Sequence, residues 1–193
     1  MSVSPGGTPA GRVNRGPAAA AENRAALLAA AREVFAEYGA DAPLRVIAAR
    51  AGVGKGSLYR HFPNREAIII AVFEDYVADL ERLAARPDVT AEAVLAAVVA
   101  HLVDSVAFIA VLDPADSSDA RLYTPGQRVM ALLGAKLADD TTRGDLRADL
   151  TVEEAFIAVS MLAALLHKTP AAQRREIAAK SWALLLRALR TPA

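Results

Sequence analysis

Cysteine is absent from the 193-residue chain, so no disulfide can staple it and no thiolate can serve as nucleophile or metal ligand. Aromatic residues make up only 5 %, and β-branched residues rarely gather in alternating runs, which leaves little material for half-buried strands. The nearest approach to a membrane span, residues 93–112, carries His101, Asp104 and Ser105 near its centre. An aspartate there costs about 2.5–3.5 kcal/mol in a bilayer, so a buried helix with no membrane partner is expected. The opening stretch MSVSPGGTPAGRVNRGPAAA is too poor in large apolar residues for a secretory h-region, and the expected compartment is the cytoplasm.

Catalytic constellations are missing too. The three histidines lie 40 and 66 positions apart, and no glycine-rich phosphate loop follows a strand. His101 and Asp104 stand i, i+3 on a helix but lack a third ligand for a metal. The chain is therefore expected to be no enzyme and to carry no cofactor or metal.

Alanine and leucine are abundant, and both enter a helix at little entropic cost. With 54 % hydrophobic residues the chain can fill a substantial core, and an all-α fold is expected. The net charge of zero conceals an asymmetry. Up to Ala67 there are nine Lys/Arg against five Asp/Glu, and beyond it 13 against 17, so the N-terminal part is the face suited to a polyanion.

Residues 1–20 read as a flexible arm whose charges are Arg12 and Arg15, within reach of a minor groove. In residues 23–38, Leu27, Leu28, Ala31, Val34, Phe35 and Tyr38 recur at spacings of three and four, which predicts an amphipathic helix closed by Gly39. Short helices over 44–51 and 55–61 flank Gly52-Val53-Gly54. Longer helices are expected over 65–85, 91–112, 125–138, 152–167 and 170–189, several with readable caps: Asn64, Thr90, and a capping box of Thr151 with Glu154. Asp113–Ala120 reads as an acidic turn, and no internal repeat is visible.

The informative stretch is AARAGVGKGSLYRHFPNREA, residues 48–67. Two short helices joined by a glycine-containing turn make a helix-turn-helix when an apolar turn residue packs beneath both, and Val53 stands in that place. The second helix then projects Lys55, Ser57, Tyr59, Arg60 and His61, donor-rich side chains suited to phosphates and base edges, while Leu58 and Phe62 anchor it.

This stretch, together with AAREVFAEYGA before it and NREAI after it, resembles the tetracycline-repressor (TetR) family of regulators over residues 24–72. The Ile-Ala, Ala-Gly-Val, Leu-Tyr and His-Phe pairs stand at the family's spacing. The resemblance implies a helix-turn-helix DNA-binding domain over residues 21–67 and a helical-bundle domain for ligand binding and dimerisation over 68–193. It implies a homodimer that holds a pseudo-palindromic double-stranded operator and releases it to a small-molecule effector, most often as a repressor. In that frame the helix bearing Arg60 enters the major groove, Lys55 and Ser57 read bases, Gly56 lets the backbone come close, Tyr59, His61 and Arg65 contact phosphates, and Arg45 meets a phosphate or an adjacent base. Two positions depart from the family: Pro43 precedes Leu44 where a Thr or Ser often caps, and Gly54 replaces a common polar cap, leaving its backbone N–H for a phosphate.

Among the apolar C-terminal helices, His101, Asp104, Ser105, Gln127, Met130 and Ser160 are the expected lining of a ligand pocket. The last two helices carry more apolar surface than a peripheral pair needs. Phe156, Val159, Leu162, Leu166, Trp182, Leu185 and Leu189 are the expected dimer interface.

Overall fold

In the computed structural model, which describes residues 16–39, 41–104 and 120–191, the described residues form helices and no strand. These are α1 (Pro17–Tyr38), α2 (Leu44–Arg50), α3 (Lys55–His61), α4 (Arg65–Ala84), α5 (Ala91–Asp104), α6 (Ala120–Ala138), α7 (Asp140–Arg143), α8 (Val152–His167) and α9 (Ala171–Leu189).

α1 starts earlier than its apolar periodicity indicates. Pro17 occupies the first helical position and four alanines follow, the residues that enter a helix most readily, so residues 17–20 are helix and not arm. The helix ends at Gly39, whose φ of 81° suits a residue without Cβ. Leu27, Ala31, Val34 and Phe35 are fully buried, whereas Tyr38, expected on the same face, is exposed at the last helical position. α1 packs on α2, α3 and α4, and together these make the N-terminal unit. Gly52, at φ 64°, makes the bend between α2 and α3, and the Val53 N–H returns to the Ala48 carbonyl at 3.0 Å.

α4 belongs to both halves of the molecule. Asn64 caps it by accepting the Ala67 N–H at 2.8 Å. Its N-terminal portion packs Ile68 into the core, and Phe73, Tyr76, Val77 and Leu80 continue it. α5 and α6 pack on α4 and on each other, α8 packs on α5 and α6, and α9 lies on α5 and α8. The buried residues of both halves form one continuous apolar cluster.

Three further differences from the sequence expectation have local causes. α6 is already helical at Ala120 and runs through Pro125, whose missing N–H leaves one ladder bond unmade while its ring is buried. Asp139 accepts the Thr141 N–H at 2.8 Å and nucleates α7, one turn within a polar stretch. Pro170 is the cap of α9 and not its first helical residue. The capping box is present: Thr151 Oγ accepts the Glu154 N–H at 3.2 Å, and the Glu154 carboxylate accepts the Thr151 N–H at 3.0 Å. Residues 1–15 of the expected arm, residues 105–112 of the expected helix and residues 113–119 of the expected acidic turn lie outside the described residues, and Ala120, the last of that turn, is helical. No helix of the described residues is long and apolar enough to cross a membrane.

Candidate nucleic-acid interface and ligand cavity

α3 is seven residues long, and its phase decides which side chains it shows. Leu58 and the Phe62 that follows the helix are buried, so the opposite face must turn outward. Lys55, Gly56, Tyr59 and Arg60 are exposed, and Ser57 and His61 are half-buried at the edges. Tyr59 is 44 % exposed against 2 % for Phe62, so of the two aromatics only Tyr59 is available to a partner. Lys55 Nζ stands 5.9 Å from the Tyr59 ring centroid, a pairing that leaves the ammonium facing solvent.

The neighbouring elements widen this cationic face. Arg45 is exposed on α2, and with Pro43, Leu44, Lys55, Tyr59 and Arg65 it borders a shallow depression of about 270 Å³. Arg65, in the first turn of α4, donates from Nη1 to the Ala42 carbonyl at 2.5 Å, which fixes its guanidinium between the α1–α2 link and the depression. Gly54 leaves open space around its Cα, and the N-terminus of α3 carries no side-chain cap there. Arg50, also on α2, is turned away to Glu37 at 2.8 Å and Glu33 at 3.5 Å. The Arg50 hydrogen bond holds the Glu37 carboxyl below its ordinary range.

A second feature lies in the helical body. Phe73 of α4, Leu95 and Val98 of α5, Gly126, Val129, Met130 and Leu133 of α6, and Ala155, Phe156 and Val159 of α8 enclose an apolar cavity of about 40 Å³. Of the residues expected to line a pocket, Met130 is there. Gln127 is not: the cavity face of α6 is set by positions 126, 129, 130 and 133, and Gln127 is turned about 100° away, into solvent. Ser160 likewise sits one position past the cavity face of α8, and His101 stacks on the buried Tyr76 with ring centroids 4.3 Å apart. Asp104 is the last described residue of α5, and Ser105 lies outside the described residues. The polar lining is thus replaced, among the described residues, by hydrocarbon.

Of the residues expected at a subunit interface, four are turned into the chain's own core. Val159, Leu162, Leu166 and Leu189 are buried within the chain's own core, and Phe156, Trp182 and Leu185 are partly buried. The apolar side chains left in solvent are Ile157, Met161 and Leu165 on α8, four residues apart, and Leu184 on α9, with Met161 61 % exposed. α8 is apolar on nearly every side, so its periodicity does not tell the inward face from the outward one.

The sequence reading also missed the charges that fasten α4 on two sides. Arg32 of α1 reaches Asp75 at 2.5 Å and Asp79 at 3.1 Å. Arg128 of α6 reaches Glu74 at 2.6 Å and holds Glu81 with two donors at 2.8 and 2.6 Å, which keeps the Glu81 carboxyl below its ordinary range. The signal was present in α4, where Glu74 and Glu81 fall seven apart and Asp75 and Asp79 four apart, two acidic rows at helical spacing.

The family model for bacterial regulatory proteins, tetR family, matches residues 27–72, from the buried face of α1 to the middle of α4. The chain is 31 % identical to the TetR transcriptional regulator SCO0520 from Streptomyces coelicolor, over 88 % of this chain and 99 % of that one, with a TM-score of 0.64. The TetR family protein CprB from S. coelicolor A3(2) is 24 % identical, with coverages of 89 % and 90 % and a TM-score of 0.57. The transcriptional regulator FadR from Bacillus subtilis, solved in complex with stearoyl-CoA, is 22 % identical, with coverages of 86 % and 97 % and a TM-score of 0.51. These last two likenesses are of fold. No match was found among curated proteins. With a helix-turn-helix that the family model matches and a relative aligned over almost its whole length, the chain belongs to the TetR family of bacterial transcriptional regulators.

Proposed function

We propose that the chain is a cytoplasmic, homodimeric repressor that grips a pseudo-palindromic duplex through α3 and leaves it when a small molecule enters the helical body. The observation that carries this reading is the outward face of α3, where Lys55, Tyr59 and Arg60 stand exposed beside Arg45. Lys55 and Ser57 read base edges, Gly54 and Gly56 admit the DNA backbone, and Tyr59, His61, Arg65 and Arg45 position it on phosphates. The exposed row of Ile157, Met161 and Leu165, with Leu184, supplies the surface on which a second copy closes. The B. subtilis regulator solved with stearoyl-CoA supports a small-molecule site in a body of this fold.

Selection of bound duplexes from a random pool tests the reading. The recovered site is expected to be an inverted repeat with half-sites about 34–36 Å apart. Its affinity is expected to fall steeply with salt as phosphate contacts release counterions. A pool that yields no preferred sequence overturns the proposal. Effector and duplex must weaken each other by the same factor, because coupling between two binding equilibria is reciprocal.

A further inference from the structure

The apolar cavity holds room for only about 40 Å³. An empty space of about 150 Å³ is what admits benzene, and sites for drug-sized ligands start at about 300 Å³. An effector seated there must therefore widen it. The wall best able to yield is α6, where Pro125 donates nothing to the helix ladder and Gly126 beside it is conformationally permissive. Gly126 also fronts the cavity with room to spare, since a Cβ built on it meets no atom within 4 Å.

The chemistry of the walls is equally restrictive. Apart from the Met130 thioether they are hydrocarbon, and among the described residues no charged or hydrogen-bonding side chain lines the space. Arg128, next to Val129, is held on Glu74 and Glu81 of α4. A carboxylate or ammonium in this cavity would lose its hydration and gain no partner. A buried methylene, by contrast, tightens binding by up to about fourfold.

We propose that the effector inserts an uncharged aliphatic chain against α6, and that Gly126 sets how much hydrocarbon the cavity accepts. This rests on the effector reading above and names the ligand class for it. Isothermal titration of the full chain at pH 7 with 1-hexanol, 1-heptanol, 1-octanol and 1-nonanol tests it, alongside octanoate and octylammonium. Affinity is expected to rise by up to about fourfold per methylene, and both charged probes are expected to bind at least about tenfold more weakly than 1-octanol. Gly126→Leu is expected to abolish alcohol binding while raising Tm, because leucine favours helix and fills the void. Gly126→Ala is expected to shorten the longest alcohol accepted.

Absence of alcohol binding overturns the proposal, as does charged probes matching 1-octanol. Undiminished affinity in Gly126→Leu overturns it too, and if that variant does not fold, unchanged chain-length preference in Gly126→Ala does so instead. The duplex selection is read without alcohols. Failure here with a selected site in hand therefore removes the ligand class alone, whereas failure of the selection removes the regulator reading.

Discussion

Replacing Arg32 by methionine keeps the aliphatic stem and removes the charge that joins α1 to the middle of α4. Three contacts are lost: the pairs with Asp75 at 2.5 Å and Asp79 at 3.1 Å, and the stacking of the guanidinium 4.5 Å from the Tyr76 ring centroid. The side chain is 29 % exposed and its partners 41 % and 31 %, so solvent screens the pairs and each is worth about 0.5 kcal/mol. The ring contact adds about 0.5–1 kcal/mol. Asp79 keeps a second cation in Arg82, which limits the repulsion left between the two aspartates. Against these gains stands Arg32 Nε, buried with no hydrogen-bond partner, whose removal returns part of the loss. The expected net destabilisation is about 1–2 kcal/mol in urea unfolding. A double-mutant cycle with Asp75→Asn should show coupling of about 0.5 kcal/mol. An unchanged midpoint, or strict additivity of the two substitutions, would refute the claim that this cluster fastens the two halves.

Tyr59→Phe and Arg65→Ala should each weaken binding to selected and random duplexes alike, with Arg65→Ala lowering the salt slope by about 0.9. Lys55→Ala should instead flatten discrimination among site variants, and an unchanged preference in a gel-shift series would remove its base-reading role. Met161→Glu should yield monomers in sedimentation with little change in the monomer's helicity, because the side chain faces solvent in the single subunit; a persistent dimer would place the interface elsewhere. The Glu154 carboxyl is held below its ordinary 4.5 by the Thr151 N–H first and Arg147 second. A carboxyl depressed in the fold stabilises above about pH 4.5 and loses that contribution as pH falls through the folded value. Glu154→Gln should therefore lower Tm at pH 6 and narrow its difference from the parent chain under acid, and parallel curves would contradict this.

What the sequence made legible was local. The bend at Gly52, the Asn64 and Thr151 caps and the burial of Leu58 opposite Tyr59 each depend on residues within one or two turns, where spacing and side-chain chemistry suffice. Long-range geometry was not legible in the same way. Arg32 lies 43 positions from Asp75 and Arg128 lies 47 from Glu81, so nothing local pairs them. The outward face of α8 was hidden by uniform hydrophobicity: Leu162 and Met161 are equally apolar neighbours, and only the packing of the other helices decides which is buried. The cavity was misread for a related reason. Gln127 and Ser160 are polar residues in apolar surroundings, but helical phase carries them off the face that α4 and α5 cover.

α4 runs from one half of the molecule into the other without a break. Eight residues separate Arg65, at the cationic edge, from Phe73, in the cavity wall, a rise of about 12 Å along a continuous rod. Tilting that rod by about 5° around the phenyl ring swings the arginine by about 1 Å, a third of a hydrogen-bond length. A rearrangement among the hydrocarbon side chains that tilted α4 would therefore move Arg65 as well.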